Sequence, residues 1–334
     1  MIPRDFIAIG TSSGGVDALR TLVSGLPRDL PATLAIVLHV GAHDSLLPSL
    51  LSESGPLRAS HATDGEKYQR ARIYVAPPDQ HMTVDGAQLR LSRGAKENFA
   101  RPAIDPLFRS AAAEIGTRVI GVILTGLLDD GAAGLEAVQA CGGATIVQDR
   151  ADAFAKDMPL HASPFADYVL PLARMPGRLV QLTGGTTDAH DARSAGDPAI
   201  RSAAARAAAA SEQRAWLAGD PLPGELCRIA TPSTLTCPEC SGTLWQLKHS
   251  GLLRYRCHTG HAYSAASLAQ GRVGDVERSL RDALRALRER EIMCRALGEQ
   301  FRRRGDAAAQ KREEATARRA GEAAGLLQSM LLEG

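Results

Sequence analysis

Between residue 6 and about residue 182, short runs of aliphatic residues alternate with stretches whose apolar positions recur at helical spacing. Residues 6–10, 33–40, 73–76, 119–125 and 144–147 are nearly unbroken apolar runs rich in Ile and Val, as in strands buried on both faces. Residues 16–26, 45–54, 104–115, 132–141 and 175–181 carry the helical pattern between them. This alternation predicts an α/β fold: a doubly wound, mostly parallel sheet with helices on both faces. Pro77-Pro78, Asp85-Gly86 and the alternating residues 88–92 interrupt the plan and predict a small antiparallel excursion.

The pattern changes after Gly184. Residues 185–197 are rich in Gly, Thr, Asp and Ser and read as a linker; the Ala-rich run 201–218 reads as a helix that buries little. A compact cysteine segment follows at 235–268, and from residue 276 the chain is strongly helical and Arg-rich. Four parts result: an α/β domain over 1–184, a linker with an Ala-rich helix over 185–234, a small zinc-ribbon-like segment over 235–268 and an α-helical tail over 269–334. In the tail, Leu280, Leu287, Cys294 and Phe301 recur every seven residues, with Ala283 and Leu297 on the second seam position. Arg302-Arg303-Arg304-Gly305-Asp306 breaks the run, so the tail is a helical hairpin or an intermolecular coiled coil.

Composition narrows the partners. Aromatic residues make up 4% of the 334, too few for a base-stacking surface, and the formal net charge of +2 gives no pull toward a polyanion. Glu residues interleave with the tail's arginines, the pattern of a solvated helix face; no nucleic-acid partner is expected. The N-terminus has neither the basic start nor the apolar core of a signal peptide, and no run approaches membrane-spanning length. A cytoplasmic protein without membrane insertion is expected, its six cysteines serving as thiols or metal ligands.

Candidate chemistry sits at strand ends. Phe6-Ile7-Ala8-Ile9-Gly10 feeds Thr11-Ser12-Ser13-Gly14-Gly15, and a helix follows. Such a turn presents hydroxyls beside the free N–H groups and positive dipole end of a helix, where it can cradle a phosphate or seat a serine nucleophile. His39 falls near the end of the run 33–40, and Leu128-Asp129-Asp130-Gly131 follows the run 119–125. Carboxyl ends of parallel strands are where open α/β sheets place ligand chemistry. A serine hydroxyl needs an imidazole to take its proton, and the imidazole needs a carboxylate to fix its tautomer. Each signal alone also has a bland reading: a tight turn, a structural histidine, a helix N-cap.

A second cluster lies in the cysteine segment. Cys237-Pro238-Glu239-Cys240 followed by Cys257-His258-Thr259-Gly260-His261 has the ligand types and spacing of a tetrahedral zinc site. Cys237, Cys240, Cys257 and His261 are the expected ligands of a structural Zn2+, with His258 the alternative fourth; reduced structural thiols or a redox pair are the competing readings. Cys141, Cys227 and Cys294 have no such company and read as small buried hydrophobes.

The strand-end segments also carry a resemblance. Ile9-Gly10-Thr11-Ser12-Ser13-Gly14-Gly15, Val37-Leu38-His39, Val122-Ile123-Leu124-Thr125-Gly126 and Asp130-Gly131-Ala132-Ala133-Gly134 resemble the catalytic domain of the chemotaxis protein-glutamate methylesterases, the CheB family, over residues 5–182. The segments 76–82 and 101–108, including Arg101, resemble family stretches that line the active-site cleft. The resemblance implies hydrolysis of glutamate γ-methyl esters on chemoreceptor helices, with possible glutamine deamidation and no catalytic cofactor. It places the nucleophile on Ser12, the base on His39, the supporting acid on Asp130, and oxyanion or cleft support on Ser13, Leu127 and Arg101. Asp129 stands where asparagine is common and is expected to cap the turn; Leu127, Leu38 and Leu128 replace a usual methionine, glutamine and glycine. Family members typically carry an N-terminal phospho-receiver domain, for which this chain leaves no room, so control by a partner, by the C-terminal region, or constitutive activity is expected. Chemosensory signalling proteins are candidate partners of the tail. The alternative reading is a catalytically silent scaffold of a chemosensory complex.

Overall fold

The computed structural model describes residues 4–40, 45–184, 198–217, 223–248 and 251–333. From the N-terminus run β1 (Phe6–Thr11), α1 (Gly15–Ser24), β2 (Thr33–Leu38), α2 (Leu47–Ser54), β3 (Arg58–His61), β4 (Glu66–Lys67), β5 (Arg72–Val75), β6 (His81–Asp85) and β7 (Gln88–Ser92). Then come α3 (Ile104–Glu114), β8 (Val119–Ile123), α4 (Ala132–Ala140), β9 (Ala144–Gln148), α5 (Asp157–Ala162), β10 (Tyr168–Leu170) and α6 (Met175–Thr183). Further on lie α7 (Pro198–Leu217), α8 (Pro223–Ile229), β11 (Ala230–Thr236), β12 (Thr243–Leu247), β13 (Arg254–Cys257), β14 (Ala262–Ser264), α9 (Ala265–Arg303) and α10 (Ala307–Glu333). The stretch 185–197, read as a linker, lies outside the described residues.

The expected parallel sheet is present, with seven strands in the order β10-β9-β8-β1-β2-β5-β3, every pair parallel. Its strands are apolar on both faces because both faces are covered. Phe6, Ala8, Ala35 and Val37 pack beneath α3 and α4, while Ile7, Ile9, Leu34 and Ile36 join Leu19 and Leu22 of α1 on the other side. From β1 the chain winds toward β2, and from β8 it winds the opposite way toward β9. The crevice at the carboxyl ends of β1 and β8 is therefore the topological switch point.

Two edge strands escape the sequence pattern. Arg58–His61 is polar and half-exposed, and Tyr168–Leu170 is only three residues long. The antiparallel excursion is the hairpin β6–β7 with β4 at its side, turning at Gly86 and Ala87.

Beyond the parallel sheet, β11-β12-β13-β14 form a separate antiparallel sheet. Residues Met1–Leu268 form one compact unit, which includes this sheet, and Ala269–Gly334 form a second. The Ala-rich helix α7 buries little, as expected, with Ala209 and Gln213 its buried positions among the described residues. Its thin side chains let the backbone lie close, so that Arg206 reaches the carbonyl of Ala113 (3.3 Å) and Glu212 ion-pairs with Arg254 (2.7 Å) and Arg109 (3.3 Å). Cys141 and Cys294 are buried as expected, whereas Cys227 is exposed at the end of the short helix α8.

The second unit is a helical hairpin of α9 and α10, with Gly305 in the left-handed region at the turn. Its seam differs from the expected one. Leu280, Leu287, Cys294 and Phe301 turn inward, but Ala283 and Leu297 are exposed, and Leu284, Glu291 and Gly298 take their place. At 3.6 residues per turn the i+4 neighbour continues the face, and small Ala317, Ala320, Gly321 and Ala324 opposite let the helices approach closely. The arginines on the outer faces pair with acids three or four positions away, as Arg302 does with Glu299 and Arg295 with Glu291. No helix among the described residues is long and apolar enough to cross a membrane.

Candidate active site and cysteine cluster

Gly10 ends the apolar run of β1, and the chain turns into α1 through Ser12 and Ser13. Gly14 makes the turn possible: at φ 76° it occupies the left-handed region, which a side chain would strain. The turn is tied to the neighbouring strand end, with Ser12 N–H donating to Thr125 O (3.0 Å) and the Thr125 hydroxyl donating to Ser13 O (2.9 Å). The same Thr125 hydroxyl accepts from Ala155 N–H (2.7 Å), so one threonine fixes the serine turn, the end of β8 and the loop before α5 together. Gly126, Leu127 and Leu128 follow Thr125, and the Leu127 side chain stands in solvent. Leu128 lies at φ 61°, a conformation that costs a leucine roughly 1 kcal/mol and that glycine adopts without that cost.

His39 follows β2, the neighbour of β1, its backbone N–H donating to Thr11 O (3.2 Å). Its Nε2 lies 2.7 Å from Asp130 Oδ2; the imidazole is one-fifth exposed and the carboxylate is buried. With Nε2–H donated to the carboxylate, Nδ1 is the nitrogen left to take a proton. Ser12, His39 and Asp130 thus stand at the carboxyl ends of β1, β2 and β8, three adjacent strands of the sheet. Arg101 lines a cleft of about 470 Å3 with His39, Asp79, Lys96, Asn98 and Phe99. Its guanidinium is committed to Asp79 (2.7 and 2.8 Å) and to the carbonyls of Arg93 and Gly94, so it braces the cleft wall.

Asp130 is held by a reciprocal exchange between two helices. Neither α3 nor α4 has a capping side chain of its own, since Ala103 and Gly131 stand at their N-caps. Asp130, just before α4, instead accepts the first N–H groups of α3, from Ile104 (2.6 Å) and Asp105 (3.3 Å). Asp105 of α3 returns the favour, accepting N–H groups of Gly131 (3.1 Å) and Gly134 (2.6 Å) at the start of α4. Helix N-termini favour negative charge, and each carboxylate satisfies donors that would otherwise be orphaned. Burial pushes Asp130 up, but the His39 hydrogen bond and charge, with the Ile104 N–H and Asn98 amide, hold its carboxyl below the usual range. Asp105 goes the other way: burial, then the Asp130 charge, push it up to about 8.

Several residues here were silent in the sequence. Asn98 donates from Nδ2 to Asp130 Oδ1 (3.0 Å) and to Asp105 Oδ2 (3.2 Å). Glu97 beside it is buried against Arg109 (2.8 Å) and Arg256 (2.9 Å). Burial pushes Glu97 up, yet these guanidiniums hold it at about 2. Asp129, expected to cap its turn, accepts the Ser264 hydroxyl at 2.8 Å instead, because the C-terminal antiparallel sheet brings that serine against it. Asp105 lies inside a segment whose family resemblance could have flagged it; Asn98, Ser264 and Ser267 carry no local signal.

In the antiparallel sheet, Cys237, Cys240, Cys257 and His261 place four ligand atoms within 4.8 Å of one another. The Cys240–Cys257 sulfurs are 3.7 Å apart, and His261 Nδ1 lies 3.7 Å from Cys237 Sγ and 3.5 Å from Cys257 Sγ. Metal–sulfur bonds of about 2.3 Å in a tetrahedron space their ligands by roughly 3.8 Å, so the cluster fits a bound metal ion. Glu239 lies 3.8 Å from His261 Nε2, where an outer carboxylate orients a ligating imidazole. His258 is not in the cluster; its exposed ring packs over Gly242.

Comparison with known proteins bears on the α/β part of the chain. The CheB methylesterase family matches residues 7–179. A protein-glutamate methylesterase/protein-glutamine glutaminase of Methanosarcina acetivorans is 36% identical over 194 residues, covering 54% of each chain. One from Paramagnetospirillum magneticum is 38% identical over 188 residues, covering 54% of this chain and 49% of its own. The chain thus spans about half the length of the curated relatives it matches. The crystal structure of the Thermotoga maritima CheB methylesterase catalytic domain aligns over its whole length with 54% of this chain, at 31% identity and a TM-score of 0.52.

Proposed function

The chain belongs to the CheB methylesterase family, and from that premise we propose that it hydrolyses glutamate γ-methyl esters on the cytoplasmic helices of chemoreceptors, releasing methanol. Ser12 is the nucleophile, His39 the base and Asp130 the supporting acid. The observation that carries this reading is the His39–Asp130 contact of 2.7 Å at the strand end beside the Ser12 turn.

In the first half-reaction Ser12 Oγ attacks the ester carbonyl carbon while its proton passes to His39 Nδ1. The tetrahedral oxyanion is met by backbone N–H groups, with Leu127 on the loop after β8 as the assigned donor and the Ser13 turn as the other wall. A backbone donor is indifferent to leucine in place of methionine. Collapse expels methoxide, which takes the proton from His39 and leaves as methanol. Water, deprotonated by His39, then attacks the Ser12 acyl ester and releases the glutamate carboxylate. Asp130 stays ionised throughout and stabilises the imidazolium. A glutamine amide would follow the same path with ammonia as the leaving group, as the relatives' second name describes.

No cofactor enters this chemistry. We assign the cysteine cluster to a structural Zn2+ held by Cys237, Cys240, Cys257 and His261, since four protein ligands leave no open position for catalysis. The ion would give the small antiparallel sheet of a zinc-ribbon-like segment the stability its few apolar side chains do not. The helical tail is assigned to docking with chemosensory signalling proteins.

The test is conversion of a peptide carrying a glutamate γ-methyl ester to the free carboxylate, followed by mass spectrometry and methanol release. Turnover by the purified chain is expected. A peptide that stays esterified in the presence of folded, metal-loaded protein, as well as an esterified receptor fragment that does so, would favour the silent scaffold.

A further inference from the structure

Behind Asp130 the C-terminal antiparallel sheet closes over the active-site wall. Asn98 Oδ1 accepts the backbone N–H of Ser264 (2.9 Å) and the Ser267 hydroxyl (2.8 Å), while its Nδ2 faces the carboxylates of Asp130 and Asp105. The orientation of this amide is fixed by chemistry. A backbone N–H can only donate and an ionised carboxylate can only accept, so the oxygen must face Ser264 and the nitrogen Asp130. Asn98, Ser264 and Ser267 are all buried, which removes water as a substitute partner.

We propose that Asn98, clamped by Ser264 and Ser267, is a positioning residue for Asp130, making the C-terminal antiparallel sheet a working part of the esterase site. The proposal rests on the reading of Asp130 as the triad acid. The backbone around Asn98 is held by the same sheet: its N–H donates to Ala262 O (2.8 Å), and Ala262 N–H donates to Lys96 O (3.3 Å). Glu97 is fastened to Arg256 of β13 on one side and Arg109 of α3 on the other. Ser264 completes the clamp by donating to Asp129, the residue before the acid. Thus the chain from the end of the cysteine cluster through the first turn of α9 controls both the side chain that donates to Asp130 and the backbone that carries it. Without the clamp, the Asn98 amide can flip and turn its oxygen toward two carboxylates.

The loss of a donor also makes the site more basic. His39 from the end of β2, Asp105 from α3 and the adjacent Asp129 are the titratable groups that face Asp130, with His81 of β6 farther off; Glu97, Arg109 and Arg254 stand behind Asp105. Removing the amide proton leaves Asp130 easier to protonate. That moves the acid limb of the rate profile to higher pH.

The experiment measures kcat and KM against pH for methanol release from a glutamate γ-methyl ester peptide by the full chain and by Asn98→Ala, Ser267→Ala and Ser12→Ala. Asn98→Ala is expected to lower kcat about 10- to 100-fold with little change in KM, as for a lost hydrogen bond to a charged group. Its acid limb moves up. Ser267→Ala moves both in the same direction, with a loss of roughly 2- to 10-fold. Wild-type kcat and an unmoved acid limb in both variants, with Ser12→Ala inactive, would overturn the proposal while sparing the triad. Activity retained by Ser12→Ala would instead sink the triad assignment, and the clamp with it. Should Asn98→Ala fail to show a cooperative melt, Ser267→Ala alone decides, since it leaves the Ser264 N–H bond to Asn98 in place.

Discussion

The His39–Asp130 pair stands on a seven-stranded sheet with apolar layers on both faces, whereas the cysteine cluster stands on a four-stranded sheet whose buried apolar side chains around it are Leu244, Tyr263 and Leu268. In the first region the apolar layers stand apart from the polar groups, so in the proposed reading Ser12, His39 and Asp130 are free to serve chemistry. In the second the polar groups are the core: Cys237 and Cys257 are themselves buried members of the small cluster. In the proposed reading the same kind of constellation, a few convergent polar side chains, is a consequence of the fold in one place and a cause of it in the other.

The sharpest way to break this contrast is to remove one group from each cluster and compare stability with activity. Structural zinc contributes on the order of 10 kcal/mol in small metal-folded domains. Cys257→Ser is therefore expected to lose bound metal by elemental analysis and to lose amide exchange protection in β11 to β14 while the parallel sheet keeps its own. Full protection of the small sheet without metal would erase the distinction. Asp130→Asn should do the reverse. With the His39 tautomer no longer fixed, kcat for methanol release is expected to fall about 10⁴-fold, while the melting temperature changes by only a few degrees. A collapse of the fold in Asp130→Asn would show that the cross-capping of α3 and α4 matters more to stability than the apolar layers do.

A smaller effect lies between the two regions, at His81. Buried in β6, it donates from Nε2 to Ala95 O (3.1 Å) and accepts Ala103 N–H at Nδ1 (3.2 Å), so the neutral ring is fully used. Burial, partly offset by the Glu97 charge, pushes its pKa down to about 4. Because the folded value lies below the ordinary one, the unfolded chain binds this proton more tightly. Stability is then complete above about 6.5 and is lost as the pH falls toward 4, by up to about 3 kcal/mol. Urea midpoints should fall through that window. A His81→Gln variant with the same acid sensitivity as wild type would place the cause elsewhere.

Most of the parallel sheet was legible because buried strands announce themselves by continuous Ile and Val runs and helices by their period. The edge strands were not, since Arg58–His61 has no apolar face to reveal it. At the site, the strand-end logic and the family resemblance reached Ser12, His39 and Asp130, and the knuckle spacing reached the cysteine cluster. Asn98, Glu97, Ser264 and Ser267 escaped because their partners lie up to 169 positions away in sequence, as Ser267 and Asn98 do. A lone polar residue in a linear sequence gives no sign of being buried against a distant carboxylate. The Ser264 contact of Asp129 is silent for the same reason: a turn residue gives no sign that another strand is laid over it.

Ser12 and Ser13 are adjacent, similarly exposed and identical in side chain, and only one can be the nucleophile. Methanol release from a glutamate γ-methyl ester peptide by Ser12→Ala and Ser13→Ala, measured side by side, tests that assignment directly. The expected result is a loss of about 10⁴-fold or more for Ser12→Ala, with Ser13→Ala keeping most of its rate because its carbonyl, which accepts from Thr125, is untouched. An active Ser12→Ala beside an inactive Ser13→Ala would contradict it.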